Sequence, residues 1–199
     1  MYQSTIRTGT GLRKWLILVA SVVTLAALQP VSAAEKQLEL GEGTIVMPLP
    51  DSWKQVAPRS RIIEYEFMAP ADAKQDDATA RITIMRAGGS IRANIERWYS
   101  QFTQPDGSST KERAKVEEFK VADMPVHWVE ISGTFKESMG GGPFAPGRTV
   151  ERPGYKMIGV ILETNNQGTY FFKVTGPEKT VDSLSEEFKR SLKAIEVNP

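Results

Sequence analysis

The chain contains no cysteine and a single histidine, His127. That excludes disulfides, thiol nucleophiles, zinc ribbons, cysteine-ligated clusters and any histidine-rich metal site. The chain also carries little net charge. Lys and Arg number 25 against 24 Asp and Glu, a formal charge of +1 over 199 residues. A balance this even argues against nucleic-acid binding through counterion release. The phosphate-loop, Gly-x-Ser-x-Gly, His-Glu-x-x-His and dinucleotide fingerprints are absent, and so is any Asn-x-Ser/Thr sequon. No cofactor or metal is expected. What is present is ordinary for a globular domain, with 40% hydrophobic and 25% charged residues.

The longest apolar run, residues 15–28, follows Arg7, Arg13 and Lys14 and precedes Pro30 and Val31-Ser32-Ala33. That is the order of a secretory signal peptide: a basic start, an apolar stretch, and small residues at the cleavage site. A bilayer-spanning helix needs about 20 residues, so the run is short for a permanent anchor. Cleavage is expected after Ala33, with Ala34 as the near alternative, leaving residues 34–199 as one domain. Removing residues 1–33 takes away three basic residues and no acid, which changes the formal charge from +1 to −2. The protein is thus expected to be exported, to a periplasm or to the exterior.

The remaining chain reads as strands, a helix, more strands and a second helix. Gln37 to Leu40 and Thr44 to Met47 are short strand candidates. Ile62 to Phe67 alternates, with Ile63, Tyr65 and Phe67 on one side and Glu64 and Glu66 on the other. Arg81 to Arg86 alternates likewise. Ser90 is an N-cap candidate for a helix whose apolar face holds Ile91, Ile95, Trp98, Tyr99 and Phe102. Lys111 to Val121 and Pro125 to Phe135 read as a hairpin about Ala122-Asp123-Met124. Tyr155 to Leu162 and Thr169 to Thr175 read as a second hairpin, turning at Thr164 to Gly168. Tyr170 and Phe172 share one face of the last strand and Phe171 takes the other, which marks a strand covered on both sides. Val181, Leu184, Phe188, Leu192 and Ile195 make the buried stripe of a helix over about 180–194. The expected class is α+β: an antiparallel sheet of about six to eight strands covered by two main helices.

Three features together resemble the PsbP-like family, which includes photosystem II extrinsic subunits, Mog-type Ran-binding proteins and exported bacterial proteins. They are Pro50-Asp51-Ser52-Trp53 after an early strand, the strand pair 155–162 and 170–175, and Thr175-Gly176-Pro177 leading into the helix with Val181, Phe188 and Leu192. The resemblance implies an antiparallel sheet between helices, used mostly to bind other macromolecules. Metal-binding residues of its photosynthetic members find no match here, and no site residue is carried over.

Candidate chemistry is sparse. His127 alternates with Val129 and Ile131, and a packed strand histidine explains it better than a general base does. Asp72, Asp76 and Asp77 lack the spacing of a calcium loop and read as solvated. Glu117-Glu118 and Glu186-Glu187 read as solvent faces. The segment without periodicity is 136–153, which carries Gly140-Gly141-Gly142-Pro143-Phe144-Ala145-Pro146-Gly147 at its centre. A loop of that length in a small domain tends to be functional. Met139 and Phe144 offer adaptable apolar contacts, and Arg148 and Arg152 can reach carboxylates.

Three functions follow. The first is a non-enzymatic exported module that contacts a protein partner through Met139, Phe144, Arg148 and Arg152. The second is a carrier for a small apolar ligand between sheet and helix, lined by Met47, Met85, Met157 and aromatics. The third is a hydrolase whose two carboxylates meet only in space. The first is the preferred reading.

Overall fold

A computed structural model describes residues 36–74, 78–139 and 148–198. The expected signal peptide, Asp76, Asp77 and Phe144 lie outside the described residues.

The chain begins with β1 (Gln37–Leu40), β2 (Ile45–Pro48), β3 (Lys54–Val56), β4 (Tyr65–Ala69) and β5 (Ala80–Arg86). Helix α1 (Ile91–Ser100) follows, then β6 (Phe102–Thr103) and one turn of helix, α2 (Thr110–Arg113). Next come β7 (Lys115–Val121), β8 (Met124–Met139), β9 (Arg148–Glu163) and β10 (Thr169–Pro177). Helix α3 (Glu178–Lys193) and β11 (Glu196–Val197) close the chain. The class is α+β, as the pattern of hairpins and amphipathic helices predicts.

Among the described residues the main sheet has eight strands in the order β3-β4-β5-β10-β9-β8-β6, with β7 also paired to β8, and every pairing is antiparallel. A second, three-stranded sheet, β1-β2-β11, was not foreseen. Both terminal segments of the domain meet in it, where Glu196 pairs with Val46.

The two faces of the main sheet are treated differently. One is closed by α3 and the small sheet. Phe188 of α3 packs its ring against Trp53, Trp128 and Phe172 at 5.3, 5.4 and 6.1 Å between centroids. Leu38, Leu40, Ile45 and Met47 complete that core from the small sheet. The other face is closed by α1 alone. Ser90 caps this helix by accepting from the Ala93 backbone N–H, and Trp98, Tyr99 and Phe102 pack against Val129, Met157, Ile161 and Phe171. The buried partners of α1 lie on β8, β9 and β10, and beyond them part of this face, at Met68, Arg81, Thr83, Lys173 and Thr175, stays open.

Several local expectations change. Residues 111–113 are the short helix α2, not strand, so the hairpin strand begins at Lys115. The strand expected from Ile62 begins at Tyr65, and Ile62 is exposed. Glu66, assigned to a polar face by alternation, is fully buried. Within the expected loop over 136–153, the described residues form a ladder. Residues 136–139 pair with 148–151, and Phe135 pairs with Arg152 across a register shift near Gly133. A side chain at Gly133, φ 144°, would strike the Thr103 carbonyl oxygen, so the irregularity sits where no β-carbon fits.

Candidate functional site

The open half of the α1 face holds a cleft of about 700 Å³. Strand alternation builds its floor. Met68 of β4, Arg81 and Thr83 of β5, and Lys173 and Thr175 of β10 all point to this side, and their cross-strand registers place them together: Met68 opposite Arg81, Thr83 opposite Lys173, Arg81 opposite Thr175. Arg59, in the segment before β4, forms one wall. The opposite wall is the outer part of the β8–β9 hairpin, with Phe135, Glu137 and Met139 on one strand and Arg152 and Tyr155 on the other.

That hairpin outruns its neighbours. β10 ends its pairing with β9 at Tyr155, and β6 ends its pairing with β8 at Phe135. Beyond those points, 136–139 and 148–154 form a two-stranded arm whose β9 edge has no strand beside it among the described residues. Arg152 Nε donates to Glu137 Oε2 at 2.9 Å and ties the arm's strands together. Phe135 and Tyr155 stack at its root, 6.3 Å apart and 10° from parallel.

The cleft is electrostatically uneven. Glu66, buried under the floor, accepts from Arg81 Nε at 2.7 Å, from Arg81 Nη2 at 3.0 Å and from the Arg59 backbone N–H at 2.9 Å. The Arg81 hydrogen bond holds its carboxyl below the usual carboxylate range, against the opposing effect of burial. One carboxylate thus serves Arg81 and, at 3.4 Å, Arg59, while Glu137 serves Arg152. Among the described residues Lys173 has no carboxylate partner. Its ammonium donates to Gln101 Oε1 at 2.8 Å and lies 6.0 Å from the Phe135 ring centre. Burial, with help from the nearby Arg81 and Arg97 charges, pushes its pKa down to about 8. Four cations thus stand against two carboxylates.

Of the residues singled out by sequence, Met139 and Arg152 line the cleft wall. Arg148 lies opposite Met139 at the far end of the arm and is exposed. Phe144 falls outside the described residues. Glu66, Arg81 and Lys173 were not singled out. The available signal was Lys173 itself, a lysine inside Tyr170-Phe171-Phe172-Lys173-Val174, a strand otherwise apolar on both faces.

The other expected arrangements do not assemble at this site. His127 sits away from the cleft, between Glu118 Oε1 at 3.1 Å from Nδ1 and Glu163 Oε1 at 2.8 Å from Nε2, as a packed strand histidine should. Met47 and Met157 are wholly buried in clusters on opposite faces of the sheet, so they share no cavity. A smaller hollow of about 390 Å³ lies beside Leu49, Trp53 and Phe67, where the buried Trp53 indole N–H has no partner among the described residues. For an acid pair, one carboxyl should be held protonated by its surroundings. Glu66 is displaced the other way. Glu130 is too, because hydrogen bonds from Lys156 and Trp128 outweigh its burial. No group of metal-ligating side chains occurs among the described residues, and no described helix is long and apolar enough to cross a membrane.

No protein-family model matches the chain, and no curated protein matches it. Solved structures do. The cyanobacterial PsbP of Synechocystis sp. PCC 6803 superposes with a TM-score of 0.50 at 11% identity, covering 87% of this chain and 99% of that one. PA94, a Pseudomonas aeruginosa protein of unknown function, gives 0.42 at 13% identity, covering 83% and 98%. The Ran-binding protein Mog1p of Saccharomyces cerevisiae gives 0.42 at 9% identity, covering 83% and 96%. The chain has the PsbP fold, the architecture that the resemblance in its sequence implied.

Proposed function

We propose that this chain is an exported binding module, without catalytic activity of its own, that docks a protein partner on the open half of its sheet. The observation that carries the reading is the open cleft walled by a projecting two-stranded arm. Such an arm offers a free strand edge for main-chain pairing, and the cleft beside it offers pockets for side chains. Met139, 46% exposed at the arm's end, supplies an apolar contact there. Arg148 and Arg152 add cations, and Phe144 belongs to the segment that joins the two strands. Export rests on the basic-apolar-small order of residues 1–33.

The test is a photo-reactive residue placed at Met139 in the native host, compared with the same residue at Val116 on edge strand β7, which pairs with the other end of β8. A single crosslinked protein from Met139, with none from Val116, is the expected result. Crosslinking from Val116 alone would overturn the reading.

A second reading, carriage of a small, largely apolar ligand, is favoured by the 390 Å³ hollow beside Leu49, Trp53 and Phe67, where the Trp53 N–H, without a partner among the described residues, would take one acceptor on the ligand. It expects a co-purifying small molecule in native mass spectrometry that disappears in a Trp53→Phe variant.

A further inference from the structure

We infer that the cleft is a carboxylate-binding site in which the Lys173 ammonium is the anchoring cation and the Phe135–Tyr155 stack receives the apolar body of the ligand. This deepens the docking proposal and rests on its choice of cleft, but not on the partner being a protein.

Three of the four cleft cations already have acidic partners. Arg81 is occupied by Glu66 through two hydrogen bonds, and Arg152 by Glu137. Arg59 shares Glu66 and is largely exposed. Among the described residues, Lys173 alone of the four is paired with no acid, and its one hydrogen-bond acceptor is the neutral Gln101 amide. An ammonium has three donors, so two remain for a ligand. A half-buried cation without a counter-charge is poorly solvated, and an incoming anion offsets that while forming a charge-assisted hydrogen bond. The surrounding potential points the same way. The charged groups that face Lys173 or line its cleft are Arg59, Glu66, Arg81, Arg97, Glu137 and Arg152, with the Tyr155 phenol beside them. Their sum is positive.

The class of anion follows from the walls. Phosphate recognition favours several free donors converging on one group, whereas here the arginine forks are already engaged. A single free ammonium next to two stacked rings, Met68 and Met139 fits one carboxylate carried on an apolar body. That carboxylate has two sources, a free organic acid or the side chain or C-terminus of a partner chain.

Lys173 also supplies a readout. Because its pKa stands near 8, the ammonium is largely present at pH 7 and largely absent at pH 9. Carboxylate affinity should therefore fall about tenfold across that interval.

The experiment is calorimetric titration of the protein with octanoate and with octanamide, its neutral counterpart, at pH 7 and pH 9. The expected result is at least about tenfold preference for octanoate at pH 7, shrinking by pH 9. Lys173→Met should erase both the preference and its pH dependence. Lys173→Arg, which keeps the charge and protects against misreading a folding defect, should retain the preference and lose the pH dependence. A short apolar peptide ending in a free carboxylate, compared with its amide, distinguishes the sources. If the peptide acid displaces octanoate, the carboxylate is a protein's; if it does not, a free acid is the ligand. Equal binding of octanoate and octanamide, or a preference that survives Lys173→Met, would overturn the inference. Crosslinking from Met139 together with equal binding of the two probes would leave the docking reading standing and remove this one. Octanoate preference without any crosslinked partner would do the reverse.

Discussion

The Glu66 carboxylate lies fully buried beneath the guanidinium of Arg81 and accepts two hydrogen bonds from it, at 2.7 and 3.0 Å. This pair fixes the cleft floor, because Arg81 cannot swing away without leaving a carboxylate in the interior. Removing one partner of a buried pair costs far more than the pair's net contribution.

Arg81→Met should therefore destabilise the protein by about 3 kcal/mol at pH 7. The pH dependence has a definite sign. Glu66 has a folded-state pKa held below its ordinary value of 4.5, so its contribution is present above that value and is lost as pH falls through the folded pKa. The gap between wild type and Arg81→Met should narrow as pH drops below the ordinary carboxyl value of 4.5. Urea unfolding at pH 7 and pH 3.5 checks it. A gap that stays constant would show that Glu66 is not held ionised by Arg81.

Lys173 behaves oppositely. Its folded-state pKa is about 8 against an ordinary 10.5, so the unfolded chain holds the proton more tightly. The penalty of burying the ammonium is fully present below pH 8 and fades as pH rises toward 10.5. Lys173→Met should raise the melting temperature at pH 7, and the gain should diminish at pH 10. A variant less stable than wild type at pH 7 would contradict this. A lysine that costs stability where a methionine would fit is the pattern of a residue kept for binding.

The seating of α1 depends on a glycine. A β-carbon at Gly159 would stand 2.4 Å from Cζ3 of Trp98, so the indole lies directly on the β9 backbone. Gly159→Ala should cost about 1–3 kcal/mol by overpacking. Combining it with Trp98→Leu should recover part of the loss, a non-additivity that thermal unfolding of the two singles and the double will expose. Strict additivity would show that the contact does not hold α1 in place.

Sequence pattern reached some of these features and not others, for physical reasons. Phe171 and Phe172 announce a strand covered on both sides, and the stripe from Val181 to Ile195 announces α3, because both signals are local and periodic. Glu66 was misassigned because alternation reports which side a residue faces, not what covers that side; its acceptance of Arg81 depends on pairing with another strand. Gly and Pro cluster at 140–147 and polar residues alternate weakly on either side, a pattern that signals loop, yet 136–139 and 148–151 pair in register. The cleft itself follows from where α1 packs: its buried partners are on β8, β9 and β10, and no single residue of the sequence states which part of the face is left open.

The arm's wall should be separable from stability. The Arg152–Glu137 pair is 41% and 29% exposed, so Arg152→Ala should change stability by less than about 1 kcal/mol. Crosslinking of a partner from Met139 should nevertheless be lost. Retained crosslinking would move the contact away from the cleft wall.

The most direct test of the account is amide chemical-shift mapping of the protein at pH 7 as octanoate is added. The account expects the largest changes at Thr83, Tyr155, Lys173 and Thr175, around the open half of the sheet, with little change at Val181, Leu184 or Phe188 of α3. Changes confined to α3 and the Trp53 hollow, with the cleft residues silent, would contradict it.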